Sequence, residues 1–299
     1  MAKRTTIYRS AAHQSELMGI YDDLLARWPA PYRLRTVPTR YGRVSVIESG
    51  PEDGQPVLLL HASSTAAVSW GPNIAALADR YRLLAVDHIG EAGRSTLNDI
   101  RVFPKGKDQL AALYAQVADG LGVDRAHVVG ASNGGFVAMC YASRHPERVL
   151  SLSLLGPMGL TRLRLGAALR MMFVSMFPSP RRAERTAAWA IGSSPLVATQ
   201  CGDWFDAVLL GIASPPSVAA PGVMTEEELA ALPMPALVFL GTKDNLVGPA
   251  SRAERSARRI PSVDVRIVAS GHLVNVECAE QVNEVLPGFL AAAGDAPMS

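Results

Sequence analysis

Residues 130–134 read Gly-Ala-Ser-Asn-Gly, a G-x-S-x-G arrangement centred on Ser132. A serine hydroxyl is a poor nucleophile near neutrality, so it needs a base within reach and a turn that exposes it. The flanking residues fit such a turn. An apolar run at 126–129 leads into it, and a helical pattern with small residues at its start follows. Glycine on either side lets a strand-to-helix elbow close without Cβ clashes, and the next backbone N–H then sits at a helix N-terminus. The motif alone is weak, and a plain Gly-rich turn is its alternative; the strand before and the helix after decide between them.

Six histidines could supply the base. His13 precedes the core, His127 lies inside the strand before Ser132, and His145 lies at the far end of the following helix. His61 and His88 follow strands but come before the elbow. His272, in the Ser270-Gly271-His272 turn after the last strand pattern, leaves the sheet's carboxyl edge, where ligands collect in open α/β sheets. An imidazole used this way needs an orienting carboxylate. Asp244 follows the strand pattern at 236–240 and leaves the same edge. The order Ser132, Asp244, His272 is that of one triad fold; other common triads run differently.

The elements that must position these residues alternate. Strand patterns at 43–48, 57–60, 82–86, 127–129, 149–155, 236–240 and 263–268 are interleaved with helical ones at 73–81, 107–121, 135–144, 250–259 and 279–292. Apolar strands alternating with amphipathic helices predict a mostly parallel sheet with helices on both faces, beginning antiparallel where the early strands follow one another directly. Before them, Leu17, Met18, Tyr21, Leu24, Leu25 and Trp28 form the apolar stripe of an N-terminal helix. Between 155 and 236 no strand pattern occurs, only helical ones at 163–177, 181–191 and 203–212, with Thr225 as an N-cap before three glutamates. So long a connection is expected to be a structured insertion. We expect a core of residues 1–155 and 235–299, with 1–30 as a helical extension, and a helical cap over 156–234.

With these residues in place, the chain resembles the α/β-hydrolase superfamily from about residue 33 onward, in the cap-bearing branch that holds many serine esterases. Residues 87–95, Asp-His-Ile-Gly-Glu-Ala-Gly-Arg-Ser, resemble the family's D-x-x-G-x-G-x-S turn with one residue more, and Leu59-Leu60-His61-Ala62-Ser63 stands in the place of its H-G-x loop. The resemblance implies an α/β-hydrolase fold and an oxyanion hole made by the backbone N–H groups of Ser63 and Asn133. Ala62 stands where the family has Gly. If the loop keeps its path, a Cβ at positive φ costs on the order of 1 kcal/mol; otherwise the path differs. Ser132 at the elbow argues against the family's dehalogenases and epoxide hydrolases, which carry Asp there.

The expected activity is hydrolysis of a carboxylic ester. Thioester, C–C, acyl-transfer and cyclisation chemistry on the same triad are the alternatives, and a non-catalytic binding protein is the third reading. Met158, Met171, Met172, Phe173, Met176 and Phe177 concentrate adaptable apolar side chains in the cap. With His61, the residues Met158, Met172 and Met176 are expected to line a pocket for a hydrophobic, small-to-medium acyl substrate; packing of the cap on the core is the plainer explanation. Residues 156–200 carry six Arg and one Glu, and 201–234 five acids and no base, which suggests attraction between the two halves of the cap.

Composition removes other classes. With 29 basic and 27 acidic residues intermixed, there is no footprint for nucleic acid. Cys140, Cys201 and Cys278 form neither a disulfide framework nor a zinc pattern, so no metal and no cofactor is expected. The first residues lack an apolar segment and no run of about 18 apolar residues occurs, so we expect a cytoplasmic protein without stable membrane insertion. A homodimer is the protein partner left open.

Overall fold

Nine strands build one sheet in the computed structural model, which describes residues 5–192, 194–212 and 222–294. They are β1 (Tyr32–Pro38), β2 (Gly42–Ser49), β3 (Gln55–Leu60), β4 (Tyr81–Val86), β5 (Thr96–Leu97), β6 (Ala126–Ala131), β7 (Val149–Leu155), β8 (Ala236–Gly241) and β9 (Val263–Val268). The order across the sheet is β1-β2-β4-β3-β6-β7-β8-β9, with β5 beside β2. β1, β2 and β4 pair antiparallel, and from β4 to β9 every neighbour is parallel. The antiparallel start and parallel continuation match the sequence pattern. β1 carries no apolar run; only Val37 of its seven residues is buried, and it holds its place through the backbone ladder to β2.

The central strands are apolar on both faces because both are covered. Val57, Leu58, Leu59 and Leu60 of β3 are all essentially inaccessible. Helices Gly106–Gly120 and Asn133–Arg144 pack together against the sheet, as do Ala279–Gly294 and the short Gly71–Ile74. The helix expected over 73–81 ends at Ile74. Beyond it Leu77 and Ala78 both donate to the Ile74 carbonyl, and Arg80 and Tyr81 to that of Leu77, so successive turns lead into β4. Among the described residues no helix is long and apolar enough to cross a membrane.

Between β7 and β8 the chain forms helices Leu165–Met176, Pro180–Ile191, Pro195–Val197, a π-helical turn Ala198–Gly202 running into Asp203–Gly211, and Glu226–Ala230. Residues 193 and 213–221 of the span 156–234 lie outside the described residues. Thr225 caps the last of these helices as expected, accepting from Glu228 N–H while the Glu228 carboxylate accepts from Thr225 N–H. The inserted helices have their own apolar cluster, made largely of small residues such as Ala167, Ala183, Ala187 and Ala190. That cluster also takes in Ala62, Leu246 and Leu273, which sit on the loops after β3, β8 and β9. The expected attraction between the two charged halves does not form. Glu228 pairs with Lys107 and Arg144, and Glu226 with Arg259; none of the arginines between 162 and 185 reaches a carboxylate among the described residues.

The N-terminal helix, Ala11–Ala26, buries Leu17, Tyr21, Leu24 and Leu25 and is capped by Ser10, whose side chain accepts from His13 N–H. It packs against the inserted helix Asp203–Gly211 as well as against the core. Just before it, Tyr8 bridges to Ile212 and Arg9 N–H donates to the Gly211 carbonyl at 2.8 Å.

Candidate active site

β6 ends at Ala131, and Ser132 turns the chain directly into helix Asn133–Arg144 with φ 52° and ψ −117°, a backbone state that side chains rarely adopt. Such a residue stores about 1–3 kcal/mol, which the surrounding packing must hold in place. The flanking glycines are required by close approach: a Cβ on Gly134 would lie 2.0 Å from the Leu60 carbonyl oxygen, and one on Gly130 2.4 Å from that of Gly134. Ser132 N–H donates to the Leu155 carbonyl at 3.0 Å, and its own carbonyl accepts from Gly135 and Met158 N–H.

β8 and β9 run parallel to β6 and end on the same edge, so the loops after them converge on this turn. Ser132 Oγ lies 2.6 Å from His272 Nε2, and His272 Nδ1 lies 2.6 Å from Asp244 Oδ2. All three side chains are buried. Asp244 Oδ1 accepts from the N–H groups of Leu246 at 2.8 Å and Val247 at 3.2 Å. Burial alone would raise the Asp244 pKa, yet the His272 ring and these two N–H groups hold it below the ordinary carboxylate value. An ionised Asp244 accepts a hydrogen bond from the imidazole Nδ1–H and so holds the proton on that nitrogen, leaving Nε2 free to accept from the serine hydroxyl. The loop carrying His272 is itself held: Glu277 Oε2 accepts from Gly271 N–H at 2.5 Å and from Ser270 Oγ at 3.1 Å.

The loop after β3 approaches from the other side, with the carbonyls of Leu60 and His61 pressed against Gly134. Here Ala62 keeps negative φ, and the positive φ of 62° falls instead at Ser64. Glu91, the additional acidic residue of the Gly-rich turn after β4, grips this loop: Oε1 accepts from Ser63 Oγ at 2.9 Å and Oε2 from Ser64 N–H at 2.7 Å. Burial pushes the Glu91 carboxyl up to about 7, against the pull of those two bonds. Asn133 N–H opens its helix and so has no partner within it. The Asn133 side chain is fully buried, and neither its oxygen nor its nitrogen finds a partner among the described residues. A cavity of about 360 Å³ lies nearby, lined by Tyr8, Met18, Glu91 and Arg94 among others, but none of Ser132, Asp244 and His272 borders it.

The pattern describing the alpha/beta hydrolase family matches residues 57–285. The chain belongs to that family. Among relatives of this hydrolase, an uncharacterized carboxylesterase, nap, of Bacillus subtilis is 30% identical over 278 residues, covering 91% of each chain. The crystal structure of naproxen esterase (carboxylesterase NP) from Bacillus subtilis superposes with a TM-score of 0.85 at 27% identity, over 94% of this chain and 99% of that one. Carboxylesterase CesB (YbfK) of the same organism gives 0.83 at 27% identity with the same coverage.

In this hydrolase, Ser132, Asp244 and His272 meet, and Ser63 lies on the loop that packs against the elbow. The substrate-pocket expectation fares differently. His61 is wholly buried with both ring nitrogens engaged, Nδ1 on the Ala62 carbonyl at 2.7 Å and Nε2 accepting His88 N–H at 3.0 Å. Burial first, and then the neighbouring His88, push its pKa down, so the neutral ring ties the loops after β3 and β4 together instead of facing a ligand. Met158 is half-buried, and its N–H bonds the Ser132 carbonyl. Met172 and Met176 are 54% and 63% exposed and point outward from helix Leu165–Met176, which turns its small residues inward. Glu91 and Glu277 escaped the sequence reading. The one available signal for Glu91 was a carboxylate set among small residues in a turn lengthened by one position.

Proposed function

We propose that the protein is a serine hydrolase that cleaves carboxylic esters through an acyl-enzyme on Ser132, with Asp244 and His272 completing the triad. The observation that carries this reading is the continuous hydrogen-bonded chain from Ser132 Oγ through His272 to Asp244, anchored on a serine at positive φ. Likeness over nearly the full chain to carboxylesterases supports the choice of ester as the bond cleaved.

In this mechanism the Ser132 proton passes to His272 Nε2 as Oγ attacks the acyl carbon. The resulting oxyanion rests on the backbone N–H groups of Asn133 and Ser63, the second held at its station by Glu91 acting as a positioning residue. One such donor is typically worth about 3 kcal/mol in the transition state. Collapse breaks the acyl–oxygen bond, and the alcohol departs with the proton from His272. Water then gives its proton to the same nitrogen, attacks the acyl carbon, and releases the acid as Ser132 recovers its hydrogen. Asp244 stabilises the imidazolium throughout and is not itself protonated.

Residues 156–234 act in this reading as a cap on a core of 1–155 and 235–299. Their apolar cluster seats on residues beside Ser63, Asp244 and His272 and so limits how bulky an acyl group can enter. The substrate class is a hydrophobic small-molecule ester, with Met158 the apolar side chain set beside the elbow.

A fluorophosphonate probe is expected to label Ser132 one to one, and p-nitrophenyl esters to turn over faster than acyl-thioesters. Unlabelled but folded protein, or equal turnover by Ser132→Ala, would overturn the assignment. Faster thioester turnover would keep the triad and change the substrate.

A further inference from the structure

Helix Leu165–Met176 is built inside out. Leu165, Leu169, Met172, Phe173 and Met176 fall within an arc of about 100° on its surface, and each is at least half exposed, Leu165 by 74%. Phe177, at its C-cap, extends the stripe and lies 5.3 Å from the Phe173 ring. The opposite side, which meets the other inserted helices, carries Ala167, Val174 and the partly buried Met171. A helix whose bulky side chains served only to pack a cap would place them inward. Scattered apolar residues on a surface need no explanation, but a continuous stripe of this kind marks a place of contact.

Cations border the stripe. Arg162, Arg164, Arg181, Arg182 and Arg185 are exposed, and those that make bonds satisfy them on neutral groups. Arg164 donates to the Val247 carbonyl, while Arg182 donates to that of Phe177 and stands over the Phe173 ring at 5.3 Å. The carboxylates of this region, Glu184, Asp203 and Asp206, lie close to one another and neutralise none of them.

We propose that this face docks on an anionic lipid surface, with the Leu/Met/Phe stripe entering the acyl boundary and the arginines meeting the headgroup phosphates. An amphipathic helix lying in the interface, apolar side down and arginines flanking, is the arrangement that such a surface selects. A second copy of the chain is the poorer occupant, because a two-fold contact through this stripe would bring two unneutralised arginine sets together. Docking leaves the chain peripheral, since a twelve-residue helix is far too short to span a bilayer. It would set the inserted helices where apolar esters partition.

The test is flotation of the full chain with vesicles of phosphatidylcholine alone or containing about 30% phosphatidylglycerol. Binding to the anionic vesicles is expected to exceed that to the neutral ones at least about fivefold, and to weaken in about 0.5 M NaCl. L165Q/L169Q and R181E/R182E should each lower it by about fivefold or more while turning over a water-soluble ester normally, which shows that they are folded. Three results would overturn the proposal: no binding to either vesicle, binding that neither salt nor substitution changes, or a dimer in sedimentation equilibrium that L165Q/L169Q converts to monomer.

Discussion

Two helices of twelve residues each, Asn133–Arg144 and Leu165–Met176, use apolar side chains in opposite ways. The first buries everything from Asn133 to Ala142, with Phe136, Met139 and Tyr141 sunk into the main core. The second turns Ala167, Met171 and Val174 inward and Leu165, Leu169, Met172, Phe173 and Met176 outward. The first must hold a strained serine to within a fraction of an ångström, and dense packing does that. The second carries no such burden, and its surface is available for contact outside the molecule.

The largest expected effect strikes the rigid side. Ser132→Ala should lower kcat on a p-nitrophenyl ester by about 10⁴-fold or more with little change in melting temperature; a residual rate near the parent's would end the role assigned to this elbow. Next comes a matched pair of truncations. Phe136→Ala, at a site 2% exposed, is expected to cost about 3–5 kcal/mol in urea unfolding. Phe173→Ala, at a site 50% exposed, should stay within about 0.5 kcal/mol. Equal losses would erase the contrast between the helices.

Glu91 sharpens the contrast at the loop that both regions touch. Its folded pKa of about 7 lies above the ordinary 4.5, so the native state binds the proton more tightly than the unfolded chain does. Stability from this group is therefore present below about pH 4.5 and is lost as pH climbs through 7, by about 3 kcal/mol. Unfolding of Glu91→Gln across that window should show a flatter pH dependence than the parent; an unchanged slope would remove Glu91 as its source. The gentlest test is the pH profile of turnover. It should rise with pH, because only the neutral imidazole can act as base, while Asp244, held below the ordinary carboxylate value, stays ionised. A flat profile would count against His272 as base.

Much of this was legible in residue order. Apolar strand runs announced the parallel sheet, and Ser132, Asp244 and His272 could be chosen because each follows a strand on one edge. β1 was not legible, since an edge strand held by backbone pairing needs only one buried side chain. Glu91 and Glu277 were not, because each works by accepting from backbone N–H groups that only the folded chain brings near. His61 stood at the right edge, but no local pattern reveals that His88 consumes its second nitrogen. For Met172 and Met176 the composition was right and the direction was not. When one side of a helix is small and apolar and the other large and apolar, periodicity alone does not say which faces inward.

Tyr21, on the N-terminal helix, donates its hydroxyl to Asp87 in the turn after β4 and sets its ring edge-on to Trp204 of the inserted helices, 5.9 Å between centroids. With the Tyr8–Ile212 bridge, this makes the start of the chain a stay that pins one corner of the insertion to the core. The start of helix Leu165–Met176 is held as well, where Leu163 bridges to Val247 and Arg164 N–H donates to the Leu246 carbonyl at 2.9 Å, so the insertion is clamped to the core at two separate places. Cutting the first clamp would leave the second, together with the Asn245 side chain donating to the Trp189 carbonyl, to carry the insertion over the loops that hold Asp244 and His272.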